Sequence, residues 1–241
     1  MTDPMNYAEF REMITISKEE RYIETLSENR ESIQIKKEKT IIKNLEKIFK
    51  ATLKISNQKG FQAMTMRDLS QESGISLGAL YAYFKNKEDL LAMLQNQRRA
   101  FIRRALENEI EKQEDTAQKL WAMIRTHLFL SEMMQPWFYF SFMEAKNLNL
   151  DERKKAIDSD LWTEKFLEKL LVQGREENVF NNRDAGLTAE AIKALLQDWY
   201  LKRSKFRNVS VDGYSDFVIE FVETYLGVET KNKGKDHDTG R

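Results

Sequence analysis

Cysteine is absent from the 241-residue chain, which excludes disulfides and thiolate metal sites. Proline and glycine are scarce, at 2 and 9 residues, so little interrupts helical segments, and no strand-like alternation stands out. No apolar run approaches the roughly 18 residues of a membrane span. The N-terminus has no apolar stretch of signal-peptide type, and a cytoplasmic location is the simplest expectation. Histidine occurs only at positions 127 and 237. There is no glycine-rich phosphate loop, no H-E-x-x-H and no paired E-x-x-H signature. Catalytic residues, a cofactor and a resident metal are therefore not expected, and the many carboxylates read as solvated helix faces.

The net charge is zero, but it is unevenly spread. Residues 1–35 carry four Lys/Arg against eight Asp/Glu, residues 36–104 carry 15 against 6, and residues 105–241 carry 20 against 25. A basic block of domain size within an otherwise acidic chain suits a polyanion-binding module joined to something else. A charge-laced helical surface without a partner would give the same count.

Helical spacing organises most of the chain into an all-α architecture. Residues 1–35 are polar and acidic and read as an N-terminal extension, flexible or loosely docked, with a possible helix from Glu19 to Ile35. Over 36–59, Leu45, Ile48, Phe49 and Thr52 or Leu53 form one apolar face. Gly60 ends that helix, and Thr65 can cap a short one over about 66–72. Gly74 supplies a turn, Ser76 caps a segment over about 77–83, and Asn86 caps a long helix over 87–111. Further helices are expected at 116–134, 137–147, 151–177, 188–206 and 212–226, with a disordered tail at 229–241.

Two short helices around a tight turn, the second facing outward, make a helix-turn-helix plan. The order is the 36–59 helix, Gly60-Phe61, then Thr65-Met66-Arg67-Asp68-Leu69, the turn Gly74-Ile75-Ser76, Leu77 through Phe84, and Lys85-Asn86-Lys87-Glu88-Asp89-Leu90-Leu91. Over about residues 40–91 this resembles the N-terminal DNA-binding domain of the TetR family of bacterial transcriptional regulators. The resemblance implies a three-helix DNA-binding domain at 36–86, with the helix-turn-helix at about 65–84. It also implies an all-helical ligand-binding and dimerisation domain at 87–228. The chain departs from the family pattern in its long N-terminal arm and at Leu77, where many members carry a Lys.

Leu69, Ile75, Leu80 and Phe84 are the expected core of the motif. On the other side, Ser76, Leu77, Gly78, Ala79, Ala82 and Tyr83 are expected to approach the major groove, small side chains permitting close contact and Leu77 or Ala79 meeting a thymine methyl. Tyr81 and Tyr83 can donate to phosphates, Lys85 and Lys87 add charge there, and Thr65 and Arg67 can hold a phosphate. Buried packing is the plain alternative for the two tyrosines. Two copies on a two-fold axis would read a pseudo-palindromic DNA operator.

The second domain is rich in aromatic residues. Trp121, Arg125, Leu128, Phe138, Phe142, Trp162 and Phe166 are the candidate lining of a small-molecule site, with Arg125 pairing a ligand anion or Glu144, and a filled aromatic core as the alternative. His127 reads as a core or surface histidine. The last two helices carry stripes, Ile192, Leu195, Leu196 and Trp199, then Phe217, Val218, Phe221, Val222 and Tyr225, expected to pair in a homodimeric four-helix bundle. The functional expectation is a repressor released from its operator by a hydrophobic or aromatic effector. The alternative is a DNA binder of the same fold, nucleoid or division related, that senses nothing.

Overall fold

In the computed structural model, which describes residues 5–16, 33, 35, 37–144, 150–181 and 184–228, every regular element is helical. The first is α1, Tyr7–Ile16, opened by a reciprocal cap in which Asn6 and Glu9 each accept the other's backbone N–H at 3.0–3.1 Å. It docks on the distant second half of the chain. Phe10 is fully buried and, with Tyr7, packs on Phe129, ring centroids 5.5 Å apart. The Tyr7 N–H donates to Asp212 at 2.8 Å. The helix expected over Glu19–Ile35, like the tail at 229–241, lies outside the described residues.

The basic block forms α2 (Glu38–Lys59), α3 (Met66–Ser73) and α4 (Leu77–Leu80). Ile41, Leu45, Ile48, Phe49 and Ile55 of α2 are buried, as the helical spacing requires. Thr65 caps α3 in a full capping box with Asp68. Lys59, then Thr65, holds the Asp68 carboxyl well below the usual carboxylate range. Gly74 ends α3 at φ 68°, a left-handed conformation that a side chain would strain. Helix α4 is a single turn, shorter than the expected 77–83. Beyond Leu80 the backbone tightens into i→i−3 bonds, Ala82 N–H to Ala79 O at 3.2 Å and Tyr83 N–H to Leu80 O at 2.9 Å, and Tyr83 and Phe84 are both buried.

Asn86 caps α5 (Lys87–Glu111), which leads into the second half. There follow α6 (Thr116–Met133), α7 (Gln135–Glu144), α8 (Leu150–Glu176), α9 (Ala185–Leu201) and α10 (Val211–Leu226). Helix α6 is central, packing against α5, α8, α9 and α10. The expected helix to 206 ends instead at Leu201 and continues as a 3-10 turn, Arg203–Phe206. Within this turn the Arg203 guanidinium reaches Glu132 at 2.8 Å and lies 4.4 Å from the Trp199 ring centroid. At Gly174 a Cβ would sit 2.1 Å from the Phe180 ring, so only glycine allows that ring to pack there. Among the described residues no helix is long and apolar enough to cross a membrane.

Candidate nucleic-acid interface and internal cavity

The outward face of α3 and α4 is built by caps and buried anchors. Leu69, Ile75, Leu80 and Phe84 are buried and seat the two helices on α2. Ser70 Oγ donates to Ile75 O at 2.7 Å and fixes the turn. This leaves Thr65, Arg67, Ser76, Gly78, Tyr81 and Lys85 exposed, with Leu77, Ala79 and Ala82 partly so. Thr65 Oγ1 donates to Asp68 at 2.7 Å, and Ser76 Oγ accepts the Ala79 N–H at 3.3 Å. Tyr81 is 47% exposed.

Two expected DNA contacts are placed differently. Tyr83 is 0% exposed, and its hydroxyl accepts from Asn44 Nδ2 at 2.8 Å, so its ring locks α2 to the motif instead of facing outward. Burial raises its pKa and the Asn44 bond opposes this. Lys87 Nζ donates to the carbonyls of Phe61, Gln62 and Met64 at 2.9–3.1 Å and lies 5.0 Å from the Phe61 ring centroid. Its three donors are thus used inside the domain. Neither Asn44 nor this carbonyl cluster was anticipated from the sequence.

A cavity of about 650 Å³ opens in the second half. Helices α6, α9 and the first turns of α7 contribute His127, Lys193, Gln197, Tyr200, Trp137 and Phe138. Helices α5, α8 and the end of α7 contribute Arg99, Ile102, Arg153, Ile157, Leu161, Phe142 and Met143. Of the expected lining residues, Phe138 and Phe142 are present and five are elsewhere. Trp121 packs on Phe180, Leu128 is fully buried core, and Trp162 packs on Phe166 beneath Arg103. Arg125 pairs with Asp216 at 2.9 Å, not with Glu144. His127 is buried against Phe138, and burial, then the Lys193 charge, lowers its pKa to about 4. Lys193 is held by Asp160 at 2.6 Å and Glu164 at 3.5 Å.

Helix α7 serves both regions. Phe138, Ser141, Phe142 and Met143 line the cavity, while Phe140 packs on Phe61 with centroids 5.9 Å apart. Glu144 accepts the Phe61 N–H at 3.2 Å, and Pro136 O accepts from Asn57 Nδ2 at 3.2 Å. Phe61 lies just before α3, so the cavity wall grips the base of the outward face.

The late helices divide their apolar residues between two faces. Ile192, Leu196, Trp199, Val218 and Val222 are buried within the chain itself, which removes them from any outer surface. Leu195 is partly buried. Phe217, Phe221 and Tyr225 remain 55–57% exposed, and Leu187 is exposed at 65%.

Residues 48–94 match the family model described as bacterial regulatory proteins, tetR family. The chain is 24% identical over 204 residues to the uncharacterized HTH-type transcriptional regulator YfiR of Bacillus subtilis (strain 168), covering 78% of this chain and 95% of that protein. A tetR-family regulatory protein from Rhodococcus RHA1 superposes with TM-score 0.71 at 18% identity, covering 78% of this chain and 98% of the other. The regulator FadR from Bacillus subtilis in complex with stearoyl-CoA superposes with TM-score 0.61 at 21% identity, covering 75% and 98%. At these identities the superpositions establish the shared fold.

Proposed function

The chain belongs to the TetR family of transcriptional regulators, and from that premise we propose that it is a cytoplasmic, homodimeric repressor released from a pseudo-palindromic operator by a hydrophobic effector bound in the internal cavity. Residues 36–86 are the reading head and residues 87–228 the effector and dimerisation domain. Thr65, Arg67, Ser76, Leu77, Gly78, Ala79, Tyr81, Ala82 and Lys85 meet the DNA. The position of α7 carries the effector part of the reading, because one helix lines the cavity and also holds Phe61. A ligand that moves α7 moves the base of α3 with it. The effector acts only through its differential affinity for the DNA-competent and DNA-incompetent arrangements. The stearoyl-CoA in the FadR neighbour supports an effector with an acyl chain.

Selection of bound duplexes from a random pool at about 100 mM salt, with a Tyr81→Ala protein in parallel, tests this reading. The wild type enriches a two-fold symmetric site and the variant does not. Enrichment of no sequence by folded dimer would remove operator recognition.

A further inference from the structure

The charged side chains that line the cavity do not balance. Among the described residues, Arg99, Arg153 and Lys193 line it against a single carboxylate, Asp160. Lys193 is buried and already offset, by Asp160 at 2.6 Å and Glu164 at 3.5 Å. Arg153 is exposed at the cavity mouth and forms no ion pair among the described residues. It sits in the first turn of α8, the end of a helix that favours an anion. Arg99, partly buried on α5, is braced by Asn96 Oδ1 at 2.6 Å from its Nη2. A guanidinium keeps its charge at any working pH, and its planar fork matches a carboxylate or a phosphate.

Each arginine has an apolar neighbour one turn away on the same face. Arg99 precedes Ile102 on α5, and Arg153 precedes Ile157 and then Leu161 on α8, all lining the cavity. Ile157, Leu161 and the facing Phe142 are substantially exposed, the kind of surface an aliphatic chain covers. Charge therefore gives way to apolar surface along both helices. One further donor stands in this wall. Tyr200 is 7% exposed and its ring lies on Phe138, centroids 5.0 Å apart. Its hydroxyl has no hydrogen-bond partner among the described residues, yet it keeps accessible surface, unlike His127 Nδ1 and Trp137 Nε1. Burial, then the Asp160 charge, raises its pKa, so the hydroxyl stays protonated and can donate. A ligand oxygen accepting from it would satisfy a group that the protein leaves unpaired.

We propose that the cavity binds an amphipathic anion, a carboxylate or phosphate-bearing head on an aliphatic chain, whose oxygens are met by Arg99, Arg153 and the Tyr200 hydroxyl while the chain covers Phe142, Ile157 and Leu161. The assignment rests on the effector reading above and narrows it to one chemical class.

The test is equilibrium dialysis of the full-length protein against labelled decanoate, decanoyl-coenzyme A and the uncharged decanol, at about pH 7.5, where decanoate is ionised. At least one of the two anions binds about tenfold or more tightly than decanol. Tighter binding of decanoate identifies the head as a carboxylate, and tighter binding of the thioester identifies it as phosphate. Arg153→Gln, at an exposed site, cuts the preference for the anion about threefold. The Arg99→Gln, Arg153→Gln protein loses the preference and keeps decanol binding. Tyr200→Phe weakens the anion about fivefold. Decanol binding as tightly as both anions, or an anion preference untouched by Arg153→Gln, overturns the assignment. So does failure of all three to bind. The wild-type ranking and the exposed Arg153→Gln stand as tests even if the other variants fold poorly. Operator binding is measured alongside. Anion binding with the expected ranking but no change in operator affinity would leave this site intact and remove the effector role proposed above.

Discussion

Lys85 and Lys87 look alike in the sequence but have different surroundings. Lys85 is exposed, whereas Lys87 spends its ammonium on the carbonyls of Phe61, Gln62 and Met64. Lys85→Met should weaken operator binding and reduce the slope of log affinity against log salt by about one, with the unfolding midpoint unchanged. Lys87→Met should leave that slope unchanged and lower stability in urea by about 1–3 kcal/mol, since three carbonyls lose a charged donor. Tyr81 and Tyr83 differ in a similar way, although the sequence reading sends both to the DNA: Tyr81 is exposed and Tyr83 is buried. The identity of the inward ring was not legible, because it depends on Asn44, 39 positions earlier. His127 supplies a pH test. A histidine kept neutral by burial stabilises the fold fully above its unfolded pKa, 6.5, and that contribution is lost as pH falls toward its folded pKa of about 4. The unfolded chain then takes up a proton that the folded chain refuses. Urea unfolding at pH 7 and pH 5 should show the wild type losing about 2 kcal/mol more than His127→Leu.

At the scale of elements, α1 behaves differently from the acidic segment that contains it. Residues 1–35 read as flexible or loosely docked, and within them Tyr7, Phe10 and Ile14 recur at helical spacing, with Tyr7 and Phe10 packing on Phe129 of α6. That stripe was present in the sequence. Its docking partner was not, because Phe129 and Asp212 lie far along the chain. Phe10→Ala removes the fully buried ring at the centre of this contact. The penalty cannot exceed the free energy of detaching α1, so local opening reports it better than global unfolding. Hydrogen exchange of the α1 amides should accelerate about a hundredfold, corresponding to about 3 kcal/mol, while α2–α4 remain protected as before. Unchanged exchange in α1 would mean that Phe10 does not hold the helix. The single-turn length of α4 belongs to the same scale. Apolar spacing predicted a helix to residue 83, but it ends at Leu80, where the bonding changes to i→i−3 turns at Ala82 and Tyr83.

For the whole molecule, the number of chains follows from which apolar residues one chain leaves uncovered. The expected pairing stripes on α9 and α10 ran together residues that the fold separates. Helix α10 has apolar residues on two sides, and a sequence read without tertiary contacts cannot tell the inner from the outer. Tyr214, Val218 and Val222 go into the core, where Tyr214 stacks on Trp199 at 4.7 Å, while Phe217, Phe221 and Tyr225 stay exposed one helical turn apart. Three large aromatic rings in line on one helix, with Phe217 and Phe221 stacked at 6.5 Å, form the kind of apolar patch that monomers seldom leave open. A two-fold axis through it would lay each copy's α9 and α10 against the other's in a four-helix bundle. The double substitution Phe217→Glu, Phe221→Glu places four carboxylates across that axis and touches no core position. Sedimentation equilibrium should then show monomer where the wild type is dimer. The unfolding midpoint of the DNA-binding half should be retained. Affinity for a full palindromic operator should fall about a hundredfold or more, to the level of a single half-site, because the second reading head is no longer delivered by the first. A dimer that survives the substitution would place the interface on another face, and the spacing of the two reading heads would have to be derived from that face instead.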